Sequence, residues 1–216
     1  MFAQSPFQMV RGLTAEENYK RAADVLDSCQ RYKFYNDSAL YYLGILHLKT
    51  GEVSYARKTC RQLLKSYPGF KMAHYLNGLV YFSETDYGRC IDELNEVLKD
   101  DPVHFNALYN RSLAFGMLED YLLAIDDLGK CIELKPGYSP AYFCRAYWYE
   151  YTGNYAEAAK DYQTTINLDP KNYDAYLGLA FTYQVQNNPA RACEIINSAI
   201  AAGSQIAVDL KVNYCR

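Results

Sequence analysis

The chain has 216 residues, of which 50% are hydrophobic and 22% charged, and its formal net charge is −3. This balance is typical of a folded protein long enough to bury a core. Because acids and bases are mixed and no basic stripe is present, the composition argues against nucleic acid or an anionic membrane as a partner.

Residues 1–13 lack a basic stretch followed by a long apolar run, so we predict no signal peptide there. We interpret them as a segment that is either flexible or folded back into a groove of the protein. No apolar window approaches the length of a membrane span, and we expect no membrane insertion. The seven cysteines form no C-x-x-C pair and are expected to be reduced thiols, which favours the cytoplasm.

Residues 14–36 are predicted to supply only the second helix of a two-helix unit. Thr14 and Glu17 have the spacing of a capping box at the start of that helix. Pro6 and Gly12 interrupt the stretch that would form the first helix, so that helix is expected to be missing. The segment would then be a half repeat that caps the units following it.

From residue 37 the sequence repeats with a period of 34 residues, marked by prolines at 68, 102, 136 and 170. The units are 37–70, 71–104, 105–138, 139–172 and 173–206. Position 8 of each unit is small, as in Gly44 and Ala146, and position 11 is a ring, as in Tyr81 and Phe115. Since positions 4, 7, 8 and 11 share one helical face, each unit is predicted to be a helix pair that stacks on its neighbours.

The fourth unit carries the clearest family pattern, with Tyr142, Ala146 and Tyr149 followed by Gly153 and Ala158. This pattern closely resembles the tetratricopeptide repeat, over roughly residues 14–206. The resemblance implies an all-α fold, a right-handed α-solenoid (superhelix) of antiparallel helix pairs whose first helices line a concave groove. Arg111 and Arg145 depart from the pattern at a position where leucine is usual, and we expect them to face the partner helix. Ser204 departs where the fifth proline would stand.

The first helices have a second apolar face, mainly at positions 5 and 9, which the repeats themselves leave uncovered. We predict that this face binds a peptide. The candidate groove residues are Tyr41, Ile45, Tyr75, Leu79, Phe82, Tyr109, Asn110, Leu113, Phe143, Tyr147, Tyr151 and Phe181. Asn110 would supply a hydrogen bond to the ligand backbone, and the others would be apolar contacts. The alternative interpretation is that some of these rings, above all at position 5, belong to the core.

The expected partner is another polypeptide with an apolar or aromatic segment. Alternatively, residues 1–13 fill the groove in the same molecule, or a homodimer forms through the groove or this N-terminal segment. The function would be that of a non-enzymatic interaction scaffold, or alternatively of a chaperone or assembly factor that shields hydrophobic segments of a client. A further alternative is a structural module of a larger protein, in which residues 207–216 are a C-terminal helix or stub.

No phosphate loop or catalytic motif is present, so we predict no enzyme activity, no cofactor and no metal site. His47 and His74 occupy ring positions of the core and are interpreted as packing residues. Cys60 has basic neighbours but lies in a buried column, which favours an inert thiol.

Overall fold

The computed structural model describes residues 6–15, 17–31 and 36–215, and these residues form helices and turns without a strand. The helices are α1 Pro6–Ala15, α2 Tyr19–Arg31, α3 Asp37–Lys49, α4 Val53–Ser66, α5 Met72–Ser83, α6 Tyr87–Asp100, α7 Phe105–Met117, α8 Tyr121–Leu134, α9 Ser139–Tyr151, α10 Tyr155–Leu168, α11 Tyr173–Val185, α12 Pro189–Ala201 and α13 Gln205–Tyr214. None of these helices is both long enough and apolar enough to cross a membrane.

The chain divides into two compact units, Met1–Ala107 and Leu108–Arg216. Within the first unit, α1 packs on α2, α3 on α4 and α5 on α6, and each pair contacts the next. Within the second unit, α9 packs on α10, α11 on α12, and α12 also on α13. The predicted all-α arrangement of stacked helix pairs is therefore confirmed, whereas the right-handed sense of the superhelix stays a prediction.

The prolines and their substitutes mark the end of one pair and the start of the next. Pro68 and Pro102 each lie two residues beyond the last residue of a second helix, α4 and α6, because proline cannot continue a helix. Ser204 stands where a fifth proline would be, and its hydroxyl accepts a hydrogen bond from the Ala207 backbone N–H at 3.2 Å. This departure from the family pattern therefore serves as the N-cap of α13.

The small residues at position 8 allow the helices to approach closely. A Cβ added to Gly44 would lie 2.5 Å from Leu76 Cδ2, and one added to Gly78 would lie 3.1 Å from Leu94 Cδ2. In the second unit Ser112, Ala146 and Ala180 occupy the same column and are fully buried. A larger side chain in this column would push adjacent helices apart, as the sequence predicts.

The turn inside each helix pair has the same geometry throughout. The backbone at position 15 of every 34-residue repeat is left-handed. Its φ is 77° at Gly51 and 74° at Gly153, but also 60° at Thr85 and 65° at Glu119. The N–H of the following residue donates to the carbonyl at position 11, as in Glu52 to His47 at 2.8 Å. Since non-glycine residues adopt the same conformation, the packing of the helices imposes the turn.

The prediction that residues 14–36 lack a first helix is wrong, because α1 is present and packs on α2. Pro6 is the first residue of α1, where its missing N–H costs no hydrogen bond. The cost of a glycine within the helix, about 1 kcal/mol, is offset by burial of Val10 and Leu13 against α2 and α3. Glu17, 34 residues before Gly51, has φ of 56° and occupies the standard turn rather than a capping box.

Residues 1–13 are predicted to be either flexible or folded back into a groove, and the structure describes only part of this segment. Residues 6–13 belong to α1, and Val10 and Leu13 lie in the core of the first unit instead of filling a groove. Residues 1–5 lie outside the described part of the chain, so groove filling by that stretch stays a prediction.

The expectation of reduced thiols is wrong for one pair, because Cys193 of α12 and Cys215 after α13 form a disulfide. The packing of α13 on α12 brings the two Cα atoms to 4.8 Å across a separation of 22 residues. Among the described free cysteines, Cys60, Cys90 and Cys131 are buried. Burial raises the pKa of Cys60 to about 12 despite the nearby Arg57, which supports the interpretation of this thiol as a packing residue.

Candidate functional site

In the first unit, the predicted groove residues are only partly accessible. Ile45, Leu79 and Phe82 are half-buried, and so is Tyr41, whose ring lies 6.0 Å from that of Phe70. Tyr75 is 7% exposed, and its ring centroid lies 5.5 Å from that of His104. The prediction that Tyr75 anchors a ligand is corrected, because its large apolar ring is better satisfied in the core between helices.

The first helix α7 of the second unit contributes residues of mixed accessibility. Tyr109 is half-buried, with its hydroxyl 3.6 Å from Cys144 Sγ and its ring 5.5 Å from that of Tyr138. Burial raises the pKa of Tyr109 above its ordinary value. Asn110 and Leu113 are also half-buried. These three side chains therefore expose edges only, and Tyr109 serves the packing of its neighbours.

Three other predicted residues of the second unit are exposed rings: Tyr147 (38%), Tyr151 (56%) and Phe181 (45%). Tyr147 and Tyr151 belong to the aromatic cluster, which we define as Tyr121, Tyr147, Trp148 and Tyr151. The hydroxyls of Tyr147 and Tyr151 lie 3.0 Å apart, and the hydrogen bond between them is the main cause that raises the pKa of Tyr147 to about 12. The cluster thus holds two exposed tyrosines in fixed orientation at the surface.

Trp148 is the buried base of the aromatic cluster. Its ring stacks on Tyr121 at 5.5 Å between centroids. The indole also lies against Gly116, where any added Cβ would overlap the ring. Glycine at that place in α7 is therefore required to seat the indole, and the indole in turn supports the two exposed tyrosines.

A cavity of about 400 Å³ lies beside these rings in the second unit, and we call it the Glu150 cavity. Its lining includes the predicted residues Phe143, Tyr147 and Phe181 and also residues that the sequence analysis did not select. The additional lining residues are Glu150, Tyr162, Asp174, Leu177, Gly178 and Tyr214. Glu150 and Asp174 occupy positions 12 and 2 of their 34-residue repeats, on the first helix of each repeat. A search of the polar residues on the first helices would therefore have found them.

The Glu150 carboxylate connects three helices at the base of this cavity. Tyr162 Oη donates to Glu150 Oε2 at 3.1 Å. The Thr182 hydroxyl lies 2.9 Å from Glu150 Oε1 and 2.8 Å from the Gly178 carbonyl oxygen, so its single proton serves only one of them at a time. Burial raises the pKa of Glu150, while these hydrogen bonds lower it by less.

Gly178 is what allows Tyr162 to reach Glu150. Tyr162 is almost fully buried and occupies the repeat position that Leu94 and Leu128 occupy in the two preceding repeats. A Cβ added to Gly178 would lie 2.5 Å from Tyr162 Cζ. The pairing of a large ring with a glycine therefore delivers a hydroxyl group to the cavity, whereas the other repeats have cysteine, leucine or isoleucine in this column.

A second cavity, of about 600 Å³, lies in the first unit between α1, α2 and α3, and we call it the N-terminal cavity. Val10, Leu26 and Tyr42 line it together with the predicted residue Ile45, and Lys49 stands among its polar members. The sequence analysis missed this cavity because α1 was expected to be absent.

Polar pairs inside successive helix pairs account for the unusual arginines. Arg111 Nε and Nη2 donate to the two carboxylate oxygens of Asp127 at 2.7 and 2.8 Å. Arg145 donates in the same way to Asp161 at 2.6 and 2.9 Å. In the preceding 34-residue repeat, Asn77 and Glu93 occupy the positions equivalent to Arg111 and Asp127. The Asn77 side-chain amide donates to Glu93 Oε1 at 2.7 Å. As predicted, both arginines face the partner helix and are not available to a ligand.

The histidines have local partners as well. His47 Nδ1 lies 3.0 Å from Glu52 Oε2, and His74 Nδ1 lies 2.8 Å from Glu93 Oε2. His104 Nδ1 accepts the Ala107 backbone N–H at 3.1 Å at the start of α7. Within the described residues, no group of three or more histidine, cysteine, aspartate or glutamate side chains is arranged to hold a metal ion.

Family models described as tetratricopeptide repeat match residues 38–69, 105–138 and 152–210. No curated protein sequence matches the chain.

Several solved structures are similar to this chain. The MamA RS-1 ArsTM double mutant is 19% identical over 77% of this chain and 93% of its own, with a TM-score of 0.71. A tetratricopeptide repeat protein from Parabacteroides merdae is 21% identical over 92% of this chain and 79% of its own, with a TM-score of 0.70. YrrB, described as a TPR protein with an unusual peptide-binding site, is 21% identical over 88% of this chain and all of its own, with a TM-score of 0.70. At these identities the likeness concerns the fold.

Proposed function

We propose, since the chain belongs to the tetratricopeptide repeat family, that it is a non-enzymatic protein–protein interaction scaffold. Its partner is a polypeptide with an apolar or aromatic segment, which binds to the first-helix surfaces of the repeats. The single observation that carries the proposal is the set of exposed rings Tyr147, Tyr151 and Phe181 next to an open cavity.

Exposed rings that lie close together on a surface are typical of an interaction site. A tyrosine ring buries a large area at a low cost in side-chain entropy, because it has few rotatable bonds. Trp148 fixes the rings of Tyr147 and Tyr151 from below, so little further order is lost when a ligand packs on them. This preorganisation supports binding rather than a role in the core.

The first unit offers a second apolar surface at the N-terminal cavity. Tyr42 is exposed there, and Ile45 lies on the same side of α3. The cavity has the size range of ligand pockets, about 300–1,000 Å³. The peptide-binding site in the name given to YrrB supports the same general use of this fold. We infer that each unit binds its own apolar segment of a partner.

The test is selection of peptides from a random display library on the purified protein. We expect enrichment of apolar and aromatic segments with Kd of about 1 μM, or about −8 kcal/mol. The double variant Tyr151→Asp with Phe181→Asp should weaken the peptides selected on the second unit at least about tenfold, because charges replace two contact rings. Helical circular dichroism should not change, since both side chains are exposed.

Leu168→Asp is the matched control, because Leu168 is similarly exposed in the same unit but lies on a second helix. It should leave peptide binding unchanged. Selection of peptides without apolar enrichment, or equal binding by the double variant, would refute the proposal. Light scattering over a concentration series shows whether the bound segment comes instead from a second copy of the chain.

The cellular location is part of the same proposal. We predict the cytoplasm from the sequence, but the Cys193–Cys215 disulfide favours an oxidising compartment. Alkylation of the protein in its native cells, followed by mass spectrometry of both cysteines, distinguishes the two. Labelled thiols support the cytoplasm, and protected cysteines support an oxidising compartment.

A further inference from the structure

We propose that the Glu150 cavity receives a basic side chain, arginine or lysine, from the partner's segment. The inference rests on the proposed function and makes it more specific, since a purely apolar ligand would not need the charges found here. It is carried by three features of the cavity: its aromatic walls, the carboxylates of Glu150 and Asp174, and the unused hydrogen-bonding capacity of Glu150.

The aromatic walls suit the stem and the charge of such a side chain. Phe143, Tyr147, Phe181 and Tyr214 line the cavity from three helices, α9, α11 and α13. The methylene stem of arginine or lysine packs against aromatic rings while its cationic end remains polar. A cation over an aromatic face is also attracted by the ring quadrupole.

The charge of the cavity is negative. Its acidic members are Glu150 and Asp174, and none of the described residues that line it is basic. The titratable groups that face the cavity with them are the tyrosines of α9, α10 and α13. Burial raises the pKa of Tyr214, and the negative charge of Glu150 raises it further, so the field of the carboxylate extends to the wall formed by α13.

Within the described part of the chain, Glu150 receives fewer hydrogen bonds than its carboxylate can accept. An ionised carboxylate accepts about four hydrogen bonds, whereas Tyr162 supplies one and Thr182 shares its single proton with Gly178. An apolar side chain in the cavity would remove water from this carboxylate without replacing its hydrogen bonds. A guanidinium or ammonium group replaces them and neutralises the charge. The charge and the hydrogen-bonding capacity of Glu150 therefore favour a cationic side chain in the cavity.

The experiment compares two blocked dipeptides of nearly the same shape, acetyl-Leu-Arg-amide, which is cationic, and acetyl-Leu-citrulline-amide, which is neutral. Each is titrated into the isotopically labelled full chain, and binding is followed by NMR chemical shifts of the cavity residues. We expect the arginine probe to bind at least about tenfold more tightly than its neutral citrulline isostere. In Glu150→Gln this preference should fall below about threefold, because the isosteric amide keeps the shape and removes the charge.

Several results would overturn the inference. These are equal binding of the two probes to the wild type, retention of the preference in Glu150→Gln, and no binding of either probe. The first and third need only the wild-type chain, so they decide the matter even if the variant is unstable.

This outcome is separable from the proposed function. If citrulline and arginine bind equally while Tyr151→Asp with Phe181→Asp still loses its selected peptides, the apolar scaffold stands and the cation site fails. If both experiments fail, the proposed function itself is wrong.

Discussion

Removing Asp161 should destabilise the second unit strongly, because its carboxylate neutralises a partly buried arginine. Asp161 accepts two hydrogen bonds from Arg145, and this interaction raises the pKa of Arg145 above its ordinary value. Loss of one partner of a buried ion pair costs about 3–5 kcal/mol, since the other charge stays buried and unpaired. The Arg145 side chain is 21% exposed, so water relieves part of this cost. We therefore expect Asp161→Ala to cost about 3 kcal/mol.

The chain itself supplies the matched control for this prediction. Leu179 and Ile195 stand 34 residues after Arg145 and Asp161 and form an apolar version of the same pair. The double variant Arg145→Leu with Asp161→Ile should lie within about 1 kcal/mol of the wild type, because replacing a buried ion pair by packed apolar residues is often neutral or stabilising.

Urea unfolding followed by circular dichroism and by fluorescence of Trp148 measures both variants. Trp148 is the only tryptophan of the sequence and lies three residues after Arg145 on α9. Two results would refute the reasoning. One is a cost below about 1 kcal/mol for Asp161→Ala, and the other is a double variant as unstable as the single one; neither agrees with an unpaired charge as the origin of the loss.

Three further predictions concern the turns, the disulfide and the buried acid, and urea unfolding checks each of them. Thr85→Gly should stabilise the protein by about 1 kcal/mol and Gly153→Ala should destabilise it by a similar amount, since only glycine adopts the left-handed turn without strain; equal signs for the two would contradict this. Cys193→Ser should lower the free energy of unfolding by about 2–4 kcal/mol by opening a closed loop, and dithiothreitol should have the same effect on the wild type but none on the variant. Burial raises the pKa of Glu150 in the folded state, so the folded chain binds this proton more tightly than the unfolded chain and the wild type loses stability as pH rises above about 4.5. Glu150→Gln should therefore be more stable than the wild type at pH 7, and an advantage that persists unchanged at pH 4 would count against the raised pKa.

The repeat itself could be predicted because each helix pair obeys the same steric rule. Gly44 and Gly78 are small because another helix approaches each of them closely, with Leu76 of the next repeat at Gly44 and Leu94 of the same repeat at Gly78. The orientation of Arg111 also followed from its position on the core face of α7. Such columns are set by local periodicity, and a 34-residue spacing preserves them.

The remaining features depend on contacts that no local pattern contains. Tyr75 and Tyr147 hold positions 5 and 9 on the same apolar stripe, yet one is buried and the other is exposed because their neighbours differ. Pro6 and Gly12 disfavour a helix locally, but the apolar contacts of α1 outweigh them. The disulfide depends on where α13 lies, and the role of Glu150 depends on hydroxyl groups from two other helices.

The polar pairs Arg111–Asp127 and Arg145–Asp161 also bear on how the chain reaches its native alignment. In a protein built from similar units, a newly formed helix finds many surfaces that resemble its correct one. Sliding a helix by one turn, about 5.4 Å, would separate each guanidinium group from the carboxylate that it contacts in the native structure. The correct alignment alone satisfies both members of each ion pair, so these charges favour it over a shifted packing of the same helices.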